Sequence, residues 1–161
     1  MATSSTDTRP IARNGSSNAA FFVALVATAL AMGAALAHAL ELPNKIGLPR
    51  DAYFTVQGMY AGWDRLAYLL AIELIAIIAV IAVHRRNRRI WMPALASLGG
   101  LVAAQILFWL YTFPANRATA NWTLQPENWE QLRRDWEYSH LGGAAFQVFA
   151  FVILVIAVLR R

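Results

Sequence analysis

Apolar residues fall in four long runs, Asn18 to Leu40, Leu66 to Val83, Ile90 to Tyr111 and Leu141 to Leu159, separated by polar segments. At a helical rise of 1.5 Å per residue each run is about long enough to cross a hydrocarbon core of roughly 30 Å. Inside lipid a backbone must satisfy its own hydrogen bonds, so the runs predict helices. The expected fold is therefore all-α, a four-transmembrane-helix bundle spanning 18–161, with spans at 18–40, 66–83, 90–111 and 141–159. Residues 1–17 are polar, rich in Ser and Thr, and show no apolar period, which predicts a disordered cytoplasmic tail.

The segments between the runs are unequal. Two are long, Pro43 to Arg65 and Thr112 to His140, and should form an extracytoplasmic cap. In the second, Pro126 and Glu127 suit a first helical turn, and Trp129, Leu132 and Trp136 then share one helical face. An amphipathic helix lying along or leading into the fourth span follows, its tryptophans suited to the interfacial belt. Rows of small residues, Ala29–Gly33–Ala37 and Ala96–Gly100–Ala104, would let helices approach closely, as would Gly142 to Ala145.

Charge then sets the orientation. The tail carries Arg9 and Arg13, the second link reads His84-Arg85-Arg86-Asn87-Arg88-Arg89, and the chain ends Arg160-Arg161, while both long loops mix acids and bases. Basic segments stay cytoplasmic, so both termini should face the cytoplasm of a cell inner (plasma) membrane. The net charge of +5 resides at span ends rather than along one face, which argues against nucleic acid as a partner and for the lipid bilayer. With only 14 % charged residues and no cysteine in 161 residues, a soluble domain, thiolate metal sites and thiol catalysis are excluded. Ala37-His38-Ala39 has the form of a signal-peptidase site. The run before it is longer than a usual signal core, however, and cleavage would leave three spans.

Polar groups inside spans are costly and need a reason. Glu73, Gln105 and Gln147 come from three different helices, each about 9–10 Å below the outer end of its helix by residue count. His38 and Glu41 lie somewhat above them, and Asn116, Arg117 and His140 stand at the rim. Two readings are open. The layer is a pocket whose desolvated Glu73 exchanges protons, or it is a structural lock in which Glu73 hydrogen-bonds the glutamines. His38, Glu41 and His140 have metal-binding chemistry but no local ligand spacing, so no metal is expected.

Two stretches also carry a family resemblance: Ala37-His38-Ala39-Leu40-Glu41-Leu42-Pro43-Asn44-Lys45 with Tyr53-Phe54-Thr55-Val56-Gln57, and Phe113-Pro114-Ala115-Asn116-Arg117 with Asn128-Trp129-Glu130 and Arg134-Asp135-Trp136-Glu137-Tyr138-Ser139-His140. Together they resemble the small four-helix membrane proteins grouped with the anthrone oxygenases. The resemblance covers nearly the whole chain after residue 18, and the second loop is its more specific part. It implies oxidation of a small apolar aromatic, of the anthrone type, by O₂ without a bound cofactor. Asn116, Arg117, Trp136 and His140 match the loop pattern. Their chemistry suits His140 as base, Arg117 as the charge that stabilises an enolate and Trp136 as a stacking platform. The catalytic candidates are thus His140, Arg117, Glu73 and His38, with Asn116, Trp136, Gln105, Gln147 and Glu41 placed to bind substrate. The alternative is a non-enzymatic membrane subunit, with homo-oligomers compatible with either reading. A cavity wide enough for an aromatic ring would favour the enzyme, a close-packed interior the subunit.

Overall fold

A computed structural model of the chain describes residues 11–161, all helices and turns with no strand among them. Helix α1 runs Ile11–Lys45, α2 Arg50–Gln57, α3 Leu66–Val83, α4 Arg88–Leu107, α5 Phe113–Ala118 and α6 Trp129–Leu159. Two 3₁₀ turns, Gly58–Tyr60 and Trp63–Arg65, lead into α3, and a π turn, Phe108–Thr112, joins α4 to α5 without breaking the rod. Four stretches are long and apolar enough to cross a membrane: Gly15–Lys45, Trp63–Val83, Arg88–Ala118 and Trp129–Leu159. The bundle expected from the sequence is the one observed.

The helices outrun the apolar runs that announced them. α3 matches its run, but α1 is helical from Ile11 and continues through Pro43 to Lys45. Residues 1–10 of the expected disordered tail lie outside the described residues, and 11–17 are part of α1. A proline removes one backbone donor and strains one turn, and the turn after Pro43 is held by a bond from the Ile46 N–H to the Leu42 carbonyl. The amphipathic helix expected before the fourth span is continuous with it, so the long loops close the bundle mostly as helix.

The core is narrow and built from small residues. Ala24, Ala27 and Ala31 of α1, Ala76, Ile77 and Val80 of α3, Ala94 and Leu101 of α4, and Ala150, Leu154 and Ala157 of α6 are buried. Phe22, Leu30, Ile75, Val102, Ile106 and Val152 point outward, an apolar exterior that fits lipid and not water. Of the glycine rows only part packs. A Cβ on Gly100 would stand 2.9 Å from the Phe149 ring and 3.2 Å from the Phe146 carbonyl, so α4 and α6 touch there. Gly33 has nothing within 4 Å, and α1 packs through its neighbouring alanine face. The Ala29–Gly33–Ala37 row is therefore not the contact surface. A bond from the Ser97 hydroxyl to the Ala150 carbonyl at 2.8 Å ties the same two helices.

The two ends of the bundle differ in kind. At one, α2, the 3₁₀ turns, α5 and the first turns of α6 make a cap around buried Tyr53, Phe54, Ala115, Trp122, Trp129 and Trp136. At the other, the start of α1, the α3–α4 turn and the end of α6 meet, where Arg85, Arg86, Arg88, Arg89, Arg160 and Arg161 are exposed.

Candidate functional site

At the cap end two helix faces meet. His38, Glu41 and Lys45 recur at i, i+3 and i+7 on α1; Arg133, Trp136, Glu137 and His140 follow the same period on α6. Lys45 is buried where the faces meet, and its ammonium fills all its directions. It lies 3.2 Å from Glu137 Oε1 and 3.4 Å from Glu41 Oε2, donates to the Tyr60 hydroxyl at 2.6 Å, and sits over the Tyr60 and Trp136 rings. The Tyr60 hydroxyl donates to Glu41 Oε2. Glu137 Oε1 also accepts from Tyr53 at 3.0 Å, and Tyr53 in turn accepts from Gln57. Arg133 completes the set: it donates to the Leu48 carbonyl at 2.7 Å and its guanidinium lies 4.6 Å from the Trp129 ring. Lys45, Arg133 and Glu137 are thus buried together, where each charge would be costly alone, while Glu41 stands half-exposed at their edge. Burial, then the neighbouring Glu137 charge, pushes the Tyr53 hydroxyl far above its ordinary value. Burial and the Glu41 hydrogen bond do the same for Tyr60, so both are proton donors and not phenolates.

Two imidazoles stand directly beneath. The His38 and His140 ring centres are 4.3 Å apart. Around His38 lie Tyr60 at 4.6 Å, Trp63 at 5.0 Å and Trp136 at 5.1 Å, an aromatic box with the histidines as its floor. His140 donates from Nδ1 to the Trp136 carbonyl at 2.8 Å, which in the neutral ring leaves Nε2 as the free lone pair. His38 Nδ1 is buried without any hydrogen-bond partner, as is Glu137 Oε2.

Asn116 and Trp136 hold this arrangement together. Asn116 Oδ1 accepts from the indole N–H of Trp136 at 2.9 Å and of Trp122 at 3.1 Å. Trp122 reaches it from a turn in which Ala120, Asn121 and Trp122 all have positive φ, a conformation L residues adopt only when held. The Thr119 hydroxyl holds it, accepting from the Trp122 N–H at 3.0 Å while donating to the Ala115 carbonyl. Asn116 is thus a latch of the cap, and the Trp136 ring lies against His140 and Lys45.

The other sequence candidates fall in different places. Glu73 and Gln147 pair two turns below His140, the amide donating to both carboxylate oxygens at 3.1 and 3.0 Å. Thr28 approaches the same carboxylate without reaching hydrogen-bond geometry. Gln105 is only half-buried and bonds neither, so two of the three expected members form the layer. Arg117 is exposed, lies over the Phe113 ring and lines a surface groove of about 400 Å³ with Phe113, Pro114 and Ala118. His140 does not line that groove, and the cation that shares the Trp136 ring with His140 is Lys45. No three His, Asp or Glu side chains group as a metal site among the described residues.

Tyr60 and Arg133 do not figure among the residues singled out from the sequence, and Lys45, Tyr53 and Glu137 figure only in the stretches that carry the resemblance, without a role at the site. Continuing the helical period of α1 beyond Pro43 reaches Lys45, and continuing that of α6 backwards from His140 reaches Glu137 and Arg133. Compared with protein-family models, curated proteins and solved structures, the chain matches none.

Proposed function

We propose that this is a multi-pass membrane protein whose His38–His140 pair is a proton-accepting centre, acting as an oxygenase on a small apolar aromatic of the anthrone type. The observation that carries the reading is the unpartnered His38 Nδ1, a buried nitrogen that a ligand would satisfy, set among aromatic rings that would stack on a planar guest. A histidine would take a proton from the activated CH₂ of the substrate. Lys45 beside it would stabilise the enolate by charge. The carbanion would pass its electrons to O₂, forming a carbon hydroperoxide once a proton returns. Loss of water from that hydroperoxide leaves the new carbonyl, so CH₂ and O₂ become C=O and H₂O. The turn at 58–65, which carries Tyr60 and Trp63, would have to swing outward to admit the ring.

The test is O₂ uptake by the purified protein with an anthrone, beside thermal stability. His38→Gln and His140→Gln should each lower turnover about 10²-fold or more while leaving the protein folded. Unchanged uptake in both variants would reject the pair as the site, and no uptake by the parent would reject this substrate class.

One observation favours the second reading, a non-enzymatic subunit with a structural polar interior. Tyr60, Trp63, Trp136 and His140 crowd His38 at ring distances of 4.3–5.1 Å, filling the space a substrate ring would use. On that reading the same variants lose thermal stability or partner binding, with no turnover at stake. For both readings we place the termini in the cytoplasm and the cap outside, on the arginine distribution. Reporter fusions after Arg89 and Arg161 should both behave as cytoplasmic.

A further inference from the structure

At the arginine end a groove of about 640 Å³ opens between the start of α1, the α3–α4 turn and the end of α6. Its polar rim carries Arg86, Arg161 and Asn87, and its bundle-side wall is apolar, made by Val83 and Ile90. Among the described residues no Asp or Glu side chain pairs with these cations. No Asp or Glu occurs in residues 11–40, 74–126 or 138–161, and the ion pairs among the described residues both belong to Lys45 at the far end.

The rim is also ordered. Arg161 lies over the Phe21 ring at 5.1 Å and donates to Asn18 Oδ1, which fixes it at the groove mouth. Ser17 and His84 are bonded to each other across the floor at 2.8 Å, binding α1 to the turn. Asn87 Oδ1 caps α4 by accepting from the Arg89 N–H at 3.1 Å, which leaves its NH₂ for an outside acceptor. A guest here meets two guanidinium groups and an amide donor on one side, and hydrocarbon on the other. A free anion would use only half of that surface. A glycerophospholipid uses both: phosphodiester on the arginines, glycerol and first acyl carbons on the exposed Val83.

We infer that this groove is a binding site for the headgroup of an anionic phospholipid of the adjacent leaflet, with Arg86 and Arg161 as its phosphate ligands. The inference is independent of the chemistry at the cap and requires only that the bundle sits in a bilayer.

The experiment uses the full chain in a non-ionic detergent, titrated with phosphatidylglycerol or phosphatidylcholine. Retained lipid is counted by native mass spectrometry and protection by thermal unfolding. Phosphatidylglycerol should be retained and should raise the melting temperature above the phosphatidylcholine value. Arg86→Gln with Arg161→Gln should weaken that binding roughly 30-fold, at about fivefold for each basic residue near an anionic surface. Arg85→Gln with Arg89→Gln removes the same charge from the same end but outside the groove, and should weaken it far less. Both doubles should melt with the parent in phosphatidylcholine, which checks their folding. Equal losses in the two doubles would reduce the site to diffuse attraction and overturn the inference. So would absence of any preference for phosphatidylglycerol, or inorganic phosphate giving the same protection in phosphatidylcholine.

Discussion

The two ends of the bundle handle charge in opposite ways. At the cap, Lys45 and Arg133 are buried with Glu137, Glu41 stands half-exposed at their edge, and tyrosines and tryptophans close over them. At the other end six arginines face outward with no acid beside them among the described residues. The contrast separates two uses of a charged residue in a small membrane protein. Buried and paired, as Lys45 is, it fixes how helices meet. Exposed and unmatched, it contributes little to the fold and is free to meet the leaflet.

The largest effect should come from breaking the matched end. Lys45→Met leaves Glu137, wholly buried, and Glu41 without their common cation and should cost about 3–5 kcal/mol. Adding Glu137→Gln should restore much of that loss in a double-mutant cycle read by thermal unfolding in detergent. If Lys45→Met proves no worse than Arg85→Gln at the open end, the distinction between the ends is lost.

Between the ends the bundle is held by close approach, which the two glycine rows can sharpen. Gly100→Ala drives a methyl against Phe149 and the Phe146 carbonyl and should cost about 1–3 kcal/mol. Gly33→Ala meets open space and should be neutral or slightly stabilising, because alanine favours helix. Melting temperatures of the pair measure the difference; equal losses would put α1 and α4 on the same footing.

The smallest effect belongs to the open end. Partial burial, then the nearby Arg161 charge, holds His84 below its ordinary value of 6.5. The unfolded chain therefore takes up the proton first as pH falls, and the stability His84 contributes above pH 6.5 is lost as pH drops towards its folded value. The parent should lose slightly more melting temperature than His84→Gln between neutral and mildly acidic pH. A steeper acid loss in the variant would reverse the sign and refute the assignment.

What the sequence revealed follows from which rule was in force. Inside the spans polar residues are rare and costly, so Glu73 and Gln147 stood out and do meet. Gln105 misled because depth alone selected it; its direction around the helix turns it only half inward. Outside the spans charge is common, and the cap residues looked like a solvated mixture of acids and bases. Lys45 and Glu137 are recognised only once α1 and α6 are known to continue past their apolar stretches, since helical phase and not hydrophobicity then decides what is inside. Asn116 was drawn to attention as a binding residue, whereas its carbonyl oxygen is taken by two indoles of the protein itself.

The π turn at Phe108–Thr112 ties the cap to a count of residues. Such a turn holds one residue more than an α-helix would, and each residue swings the helix by about 100°. Deleting one residue there would restore a regular helix and leave the apolar stretch able to cross the bilayer. Because the extra residue is taken up within one wide turn, the helices on either side would keep nearly the same phase, and Asn116 would stay turned towards Trp122 and Trp136. A deletion in the regular part of α4 between Gly100 and Leu107 would instead turn Asn116 about 100° around the axis, away from Trp122 and Trp136. In this chain the spacing between the Gly100 contact and the Asn116 latch is itself inherited information, as specific as any side chain on the way.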